Sequence, residues 1–336
     1  MTGTVACFGE LLLRLAAPGR ELLLQSPQLD VHVGGAEANV AVGLARLGHS
    51  VRMISRVPAN VLGEAALGHL RRYGVDTSGV AAAPGRMGLY FLSPGAGLRG
   101  SEIVYDREGS SFSLARAADF DFDRLLDGVR LLHLSGITPA LGRDPGEMAL
   151  AIAQAARARG VTVSFDGNYR PQLWQRRSGD ASAILARLVG LADIFFGNHR
   201  DMSLLLGTDF SGEGPEARRQ ASEAGFRAFP ALRLIASTAR QVVDADTNRI
   251  SARVDTPEGA VESEEVTVAG IVDRIGSGDA FAAGIIHGFL SDRPLDWTVR
   301  AGLALAALKH SLPGDASLFT QADIEAFMAG DLDVRR

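Results

Sequence analysis

The residues with the clearest chemical possibilities are Asp273-Arg274-Ile275-Gly276-Ser277-Gly278-Asp279, running into Ala280-Phe281-Ala282-Ala283-Gly284. A Gly-x-Gly turn that opens a small-residue helix presents the amides of Gly276, Ser277, Gly278 and Asp279 to an anion. The positive end of the helix dipole stands behind them. An Asp at that point is also what a plain helix cap requires. Ala280, Ala283 and Gly284 let the helix pack closely, which favours the phosphate-site reading. Phosphoryl transfer to an alcohol needs a carboxylate to take the hydroxyl proton and amides to steady the moving group. Asp279 is placed for the first task and the 276–278 turn for the second. A further segment, Gly34-Gly35-Ala36-Glu37-Ala38-Asn39, puts two glycines after a strand, where backbone can approach a ligand closely. Asn39, on the first helical turn, can bond a hydroxyl.

The cations narrow the chemistry. Lys309 is the chain's single lysine, so 33 of its 34 basic residues are arginine. There is no G-x-x-x-x-G-K-[ST]. Phosphate handling must rest on glycine amides, helix dipoles and arginine. The seven histidines show no metal spacing, and Cys7 is alone. A net charge of −5 gives no global attraction to nucleic acid or an anionic membrane. Apolar stretches are too short to span a bilayer. The start reads as a first strand rather than a signal peptide, so a cytoplasmic location is expected.

These residues need a scaffold, and the apolar pattern predicts one. Ser50–Ser55, Leu131–Ser135, Val161–Phe165, Asp193–Phe196 and Leu232–Ala236 read as strands. Glu37–Leu47, Pro145–Arg159, Ala181–Leu191 and Glu216–Phe226 read as helices. The alternation predicts a parallel sheet covered on both faces. Four strands end in small polar residues: Ser135-Gly136, Asp166-Gly167-Asn168, Gly197-Asn198 and Ser237-Thr238. Ligands bind at such carboxyl ends, so a shared cleft is expected there. Leu11–Leu15 with Leu29–Val33, and Met87–Ser93 with Glu102–Asp106, read as a small antiparallel flap. One domain over 1–336 is expected, with lid strands at roughly 11–33 and 87–107.

The early Gly-Gly-x-x-x-Asn and late Gly-x-Gly-Asp, in order across the chain after Gly9-Glu10, resemble the two signatures of the PfkB (ribokinase-like) carbohydrate kinases. That resemblance implies a three-layer α/β/α domain with a mostly parallel sheet and a small β-lid. It implies Asp279 as the catalytic base, with Gly276, Ser277 and Gly278 as its anion hole. ATP and Mg2+ are the implied co-substrates, magnesium being held largely by phosphates and water.

Finer features resemble the 2-keto-3-deoxygluconate kinases. These are Asp166-Gly167-Asn168-Tyr169-Arg170-Pro171, the lid Tyr105-Asp106-Arg107, Tyr90, and Gly314-Asp315. The likeness implies an acceptor site of Gly34, Gly35, Asn39, Tyr90, Tyr105, Arg107, Arg170, Asp279 and Asp315. Arginine suits a keto acid, whose carboxylate a guanidinium binds bidentately; Arg107 is expected to receive it, or else to be a solvated lid residue. Asn168, Arg170, Asn198, Ser237, Gly276 and Gly278 are expected beside ATP. Trp174 is expected in the core or at the domain edge.

Two departures stand out. Asp201, in Asn198-His199-Arg200-Asp201, replaces a family Glu tied to magnesium, so its reach is expected to be through water. Ser237-Thr238-Ala239-Arg240 replaces a Gly-containing turn near the nucleotide. A neutral-sugar kinase (fructose or a ribose-like acceptor) and a catalytically silent sugar sensor stay open as other readings. Apolar lid strands predict a homodimer through the lids.

Overall fold

The computed structural model describes residues 3–175 and 181–331. Strands β1 (Thr4–Phe8), β2 (Leu12–Ala16), β3 (Asp30–Gly34), β4 (Val51–Pro58), β5 (Asp76–Ala83), β6 (Gly88–Ser93) and β7 (Glu102–Asp106) come first. They are followed by β8 (Val129–Ser135), β9 (Thr162–Asp166), β10 (Ile194–Phe196), β11 (Leu234–Val242), β12 (Thr247–Thr256), β13 (Gly259–Glu262) and β14 (Val266–Ala269). The larger sheet has the order β13-β12-β11-β10-β9-β8-β1-β4-β5, with β14 also on β12. From β5 to β11 the strands are parallel. β12 reverses direction, and β13 and β14 pair antiparallel with it.

Alternation along a strand sends neighbouring side chains to opposite faces. In β1, Val5 and Cys7 join a core shared with helices Ala36–Arg46, Ser277–Leu290 and Leu295–Lys309. Ala6 and Phe8 enter a second core with helices Arg143–Ala158 and Ala181–Val189. A strand buried on both sides must be apolar throughout, which is why β1 shows no polar alternation. Burying a side chain such as Phe8 contributes roughly 1.5–3 kcal/mol. Small residues set the helix spacing: a Cβ on Gly284 would lie 2.7 Å from the Cα of Gly302.

The expected α/β/α architecture is present, with element ends shifted by a few residues. The helix expected over Glu216–Phe226 runs Gly214–Ala228, and that expected over Ala181–Leu191 ends at Val189. The strand expected over Leu232–Ala236 continues to Val242, because no glycine breaks it and β12 supplies a partner along its length. Helices Val61–Arg72 and Gln321–Ala329 were not foreseen.

The lid requires a correction. It is a separate sheet of order β3-β2-β6-β7. Each hairpin is antiparallel, but β2 and β6 pair in parallel, Leu12 with Gly88 through Ala16 with Leu92. The chain crosses to the main sheet between the two hairpins. Their inner strands therefore meet running the same way. Among the described residues, no helix is long and apolar enough to cross a membrane.

Candidate active site

A cavity of about 1010 Å³ opens where the parallel strands end and the lid faces them. β1 has β8 on one side and β4 on the other, so the strand order reverses there, as in other open α/β ligand sites. Gly276 precedes helix Ser277–Leu290 with φ 78°, and a Cβ there would come within 1.7 Å of the Asp315 carbonyl. Only glycine fits that turn. Asp279 follows in the first helical turn and accepts a hydrogen bond from Asn39 Nδ2 at 2.7 Å. Asn39 is aimed by the tight entry of helix Ala36–Arg46, where Gly35 has φ 131° and a Cβ would meet the Glu10 carbonyl at 2.2 Å. The two glycine segments, far apart in sequence, thus meet at one carboxylate.

Gly276, Ser277, Gly278 and Asp279 line the cavity together with Gly35 and Asn39. On the lid side Tyr90, Tyr105, Arg107 and Asp315 line it too. The Tyr90 hydroxyl donates to Asp315 Oδ2 at 2.6 Å, so this tyrosine is more than sheet packing. Gly34 is placed differently from expectation. It lies outside the cavity wall and makes room for Asp315, whose Oδ2 would sit 2.3 Å from a Cβ at Gly34. Arg107 is no solvated lid residue: it is buried, and its Nε donates to Glu10 Oε2 at 2.6 Å. Its charge is already countered by the buried carboxylate of Glu10, behind the cavity wall.

At the other end Asn168, Arg170, Asn198, Asp201 and Ser237 line the same cavity. Asn168 takes φ 38°, its amide bonded to Asp166 Oδ1 at 2.9 Å. Asn198 caps helix His199–Leu206, accepting from the Arg200 amide at 2.8 Å, and Asp201 Oδ2 accepts from the Asn198 amide at 2.8 Å. This reciprocal cap occupies one oxygen of Asp201. Trp174 is buried against Tyr169.

The pfkB family carbohydrate kinase model matches residues 2–321. The chain belongs to the pfkB family of carbohydrate kinases. It is 31% identical to a 2-dehydro-3-deoxygalactonokinase of Haloferax volcanii over 98% of each chain. It is also 31% identical to a 2-dehydro-3-deoxygluconokinase of Bacillus subtilis, over 90% of this chain and 89% of that one. Among solved structures, a 2-dehydro-3-deoxygluconokinase from Thermotoga maritima superposes with a TM-score of 0.93 at 36% identity, covering 98% of this chain and 99% of its own.

The electrostatics of this pfkB chain show what motif matching missed. Burial pushes the Asp279 carboxyl up to about 8; Asn39 and Arg170 pull it down, while Asp166 and Glu37 push it further up. Burial likewise pushes Asp166 up to about 7, opposed by Arg170 and its own bond to the Asn168 amide, with Asp201 and Glu37 adding to the rise. Glu37 and Asp201 are also raised, chiefly by burial. Glu37 lies beside Gly9, where a Cβ would sit 2.0 Å from its Oε2, and it accepts from Ser135 Oγ at 2.7 Å. Arg200, Arg240 and Arg274 line the same cavity. Arg240 is held below its usual value by burial and by the charges of Arg274 and Arg170. None of Asp166, Glu37, Arg200 or Arg274 was singled out as a site residue. The strand-end position of Asp166 was a signal, but Glu37 carries none a motif reader could use. Among the described residues, no group of three or more His, Cys, Asp or Glu is arranged to hold a metal ion.

Proposed function

We propose that this pfkB chain transfers the γ-phosphoryl group of MgATP to the terminal hydroxyl of 2-keto-3-deoxygluconate, giving the 6-phosphate and ADP. The observation that carries the reading is the position of Asp279. It lines the one cavity that lid-side and strand-end residues share, bonded to Asn39 and directly following residues 276–278 of the turn. In this reading Asp279 takes the proton of the attacking hydroxyl as the oxygen–phosphorus bond forms. The turn amides and helix N-terminus stabilise charge on the moving phosphoryl group. ADP leaves with the bonding pair of the broken phosphorus–oxygen bond.

The charge pattern supports a magnesium–polyphosphate substrate. Crowded arginines at the strand-end side favour the phosphate chain, while carboxylates raised by burial favour its metal ion. Asp201 has one oxygen engaged in its helix cap and acts on magnesium through water. Asn168, Arg170, Asn198 and Ser237 bind the nucleotide side, and Tyr90, Tyr105, Arg107 and Asp315 the acid. The acid class is supported by the likeness to two kinases named for 2-dehydro-3-deoxy sugar acids. The galactonate epimer is the second reading, favoured by the Haloferax volcanii protein, which matches over nearly the full length.

A coupled ADP-release assay tests this with ATP and magnesium against both epimeric keto acids, fructose, ribose and adenosine. Selective turnover of a keto acid supports the proposal. Turnover of a neutral sugar alone discards the acid reading, and none at all moves the weight to a sensor. Replacing Arg107 with Ala should raise KM for the acid roughly 10- to 100-fold, the scale of a hydrogen bond to a charged group. An unchanged KM removes Arg107 from carboxylate recognition. We also propose a cytoplasmic homodimer through the lids, whose outer strands expose Val31 and Val104. A monomer by light scattering at working concentration overturns that.

A further inference from the structure

Beneath the 276–279 turn lies a cluster in which the proposed reaction uses Asp315 alone. Arg14, on lid strand β2, is 1% exposed, and the large cavity does not reach it. Its Nη2 donates to Asp273 Oδ2 at 2.6 Å, and its Nη1 stands 3.1 Å from Asp315 Oδ1. Each carboxylate has a second task. Asp273 accepts from the amides of Ile275 and Gly314, both at 3.0 Å, immediately before the turn that carries Asp279. Asp315 accepts from Tyr90 in the acceptor half, and its carbonyl packs against Gly276. Lys309, fully buried, donates to the Leu312 carbonyl at 3.0 Å and adds its charge to both carboxylates.

From this geometry we infer that Arg14 is a positioning residue that holds the acceptor-side Asp315 and the Asp273–Asp279 turn in one register, and ties both to the lid. The inference rests on the proposed reaction, in which the hydroxyl and the γ-phosphoryl group must meet in line. One guanidinium bridges the two carboxylates because its nitrogens form a rigid fork; an ammonium is a point charge and cannot match both ends. A displacement of about 1 Å between reacting partners costs on the order of 100-fold in rate. A plain structural ion pair would instead affect melting and leave the kinetics of the folded enzyme alone.

The test uses R14A and R14K in the full chain, measured on whichever acceptor the wild type phosphorylates. Failure of the keto-acid reading therefore leaves it intact. The folded variants are expected to lose on the order of 10- to 100-fold in kcat, with acceptor KM raised and ADP affinity unchanged. Added guanidinium should restore R14A by about tenfold or more, as expected when a missing fork is refilled, without restoring D279N. Hydrogen exchange at the Ile275 and Gly314 amides is a readout that needs no acceptor. It should quicken in R14K while exchange in β9 stays as in wild type. If R14A does not fold, R14K decides. A folded R14K with wild-type kcat, acceptor KM and exchange overturns the inference. So does a folded R14A whose turnover loss guanidinium leaves untouched.

Discussion

Two groups of buried and half-buried carboxylates flank the 275–278 turn, and they are treated in opposite ways. On the lid side Asp273 and Asp315 face Arg14 and Lys309, two cations for two anions, with amides and the Tyr90 hydroxyl adding hydrogen bonds. Burial pushes the Asp315 carboxyl up, and Arg14 pulls against it. On the cavity side Asp279, Asp166, Glu37 and Asp201 repel one another, and burial drives all of them upward. The first group has its charges balanced within the protein, although Asp315 Oδ1 and Arg14 Nη1 make no hydrogen bond. The second is left for a substrate to complete, and that is where proton transfer belongs, since a base works best with a pKa near the working pH.

The largest effect expected of this contrast is kinetic and falls on the cavity side. Asp279→Asn should lower kcat by roughly 10²–10⁴-fold, the usual contribution of a general base. ADP affinity should hold, because the turn amides remain. A kcat within a few-fold of wild type, measured by ADP release, would place the base elsewhere. The lid-side group should answer in stability as well as in the turnover loss expected of the Arg14 variants. Asp273→Ala removes one of the two partners of Arg14 and leaves two amides without an acceptor, a loss of about 3–5 kcal/mol for breaking a buried pair, readable by urea unfolding. A loss under about 1 kcal/mol, the scale of an exposed pair, would mean that this cluster is not the closed unit described.

A smaller effect separates the groups by pH. The Asp279 carboxylate must be ionised to accept a proton, so kcat/KM should fall as pH drops through about 8. Asp166 and Asp279 push on one another, so the limb belongs to the pair. Asp166→Asn should move it to lower pH, while Asp273→Asn should leave it in place. A limb that moves with Asp273→Asn and not with Asp166→Asn would reverse the roles assigned to the two groups.

The cavity side was largely legible in the sequence and the lid side was not, for a physical reason. Gly276, Gly278, Asp279, Gly35 and Asn39 satisfy local demands, a left-handed turn, a helix start and a close backbone approach. Those demands fall on consecutive residues. The sheet and both helical layers were legible on the same ground, because β1 and its neighbours are apolar on both faces. Arg14, Asp273, Asp315 and Lys309 meet only through the tertiary fold, and a lone arginine in an apolar strand or a lone lysine in an apolar helix carries no spacing to read. The burial of Arg107 was hidden in the same way, since its partner Glu10 lies 97 residues away. The parallel pairing of β2 with β6 depends on how the chain returns from the main sheet, which two hairpin patterns cannot encode. Gly34 was placed one contact too close to the substrate because its demand comes from Asp315, near the other end of the chain.

The smallest effect expected is thermodynamic. In the unfolded chain an aspartate releases its proton near pH 3.9. In the folded chain Asp279 holds it to about 8 and Asp166 to about 7. Between those limits the folded state binds more protons than the unfolded state, so stability must decline as pH rises across the window. Below about pH 4 both states are protonated and these groups contribute no pH dependence. Asp279→Asn removes one such group, so its Tm should exceed that of wild type by an amount that grows from pH 5 to pH 8.5. Asp273→Asn, which gives up the ion pair with Arg14, should instead lower Tm. Tm measured across that range for both variants distinguishes them. A gap for Asp279→Asn that stays constant with pH would mean its carboxylate ionises as freely folded as unfolded, and the cavity side would then be as internally balanced as the lid side.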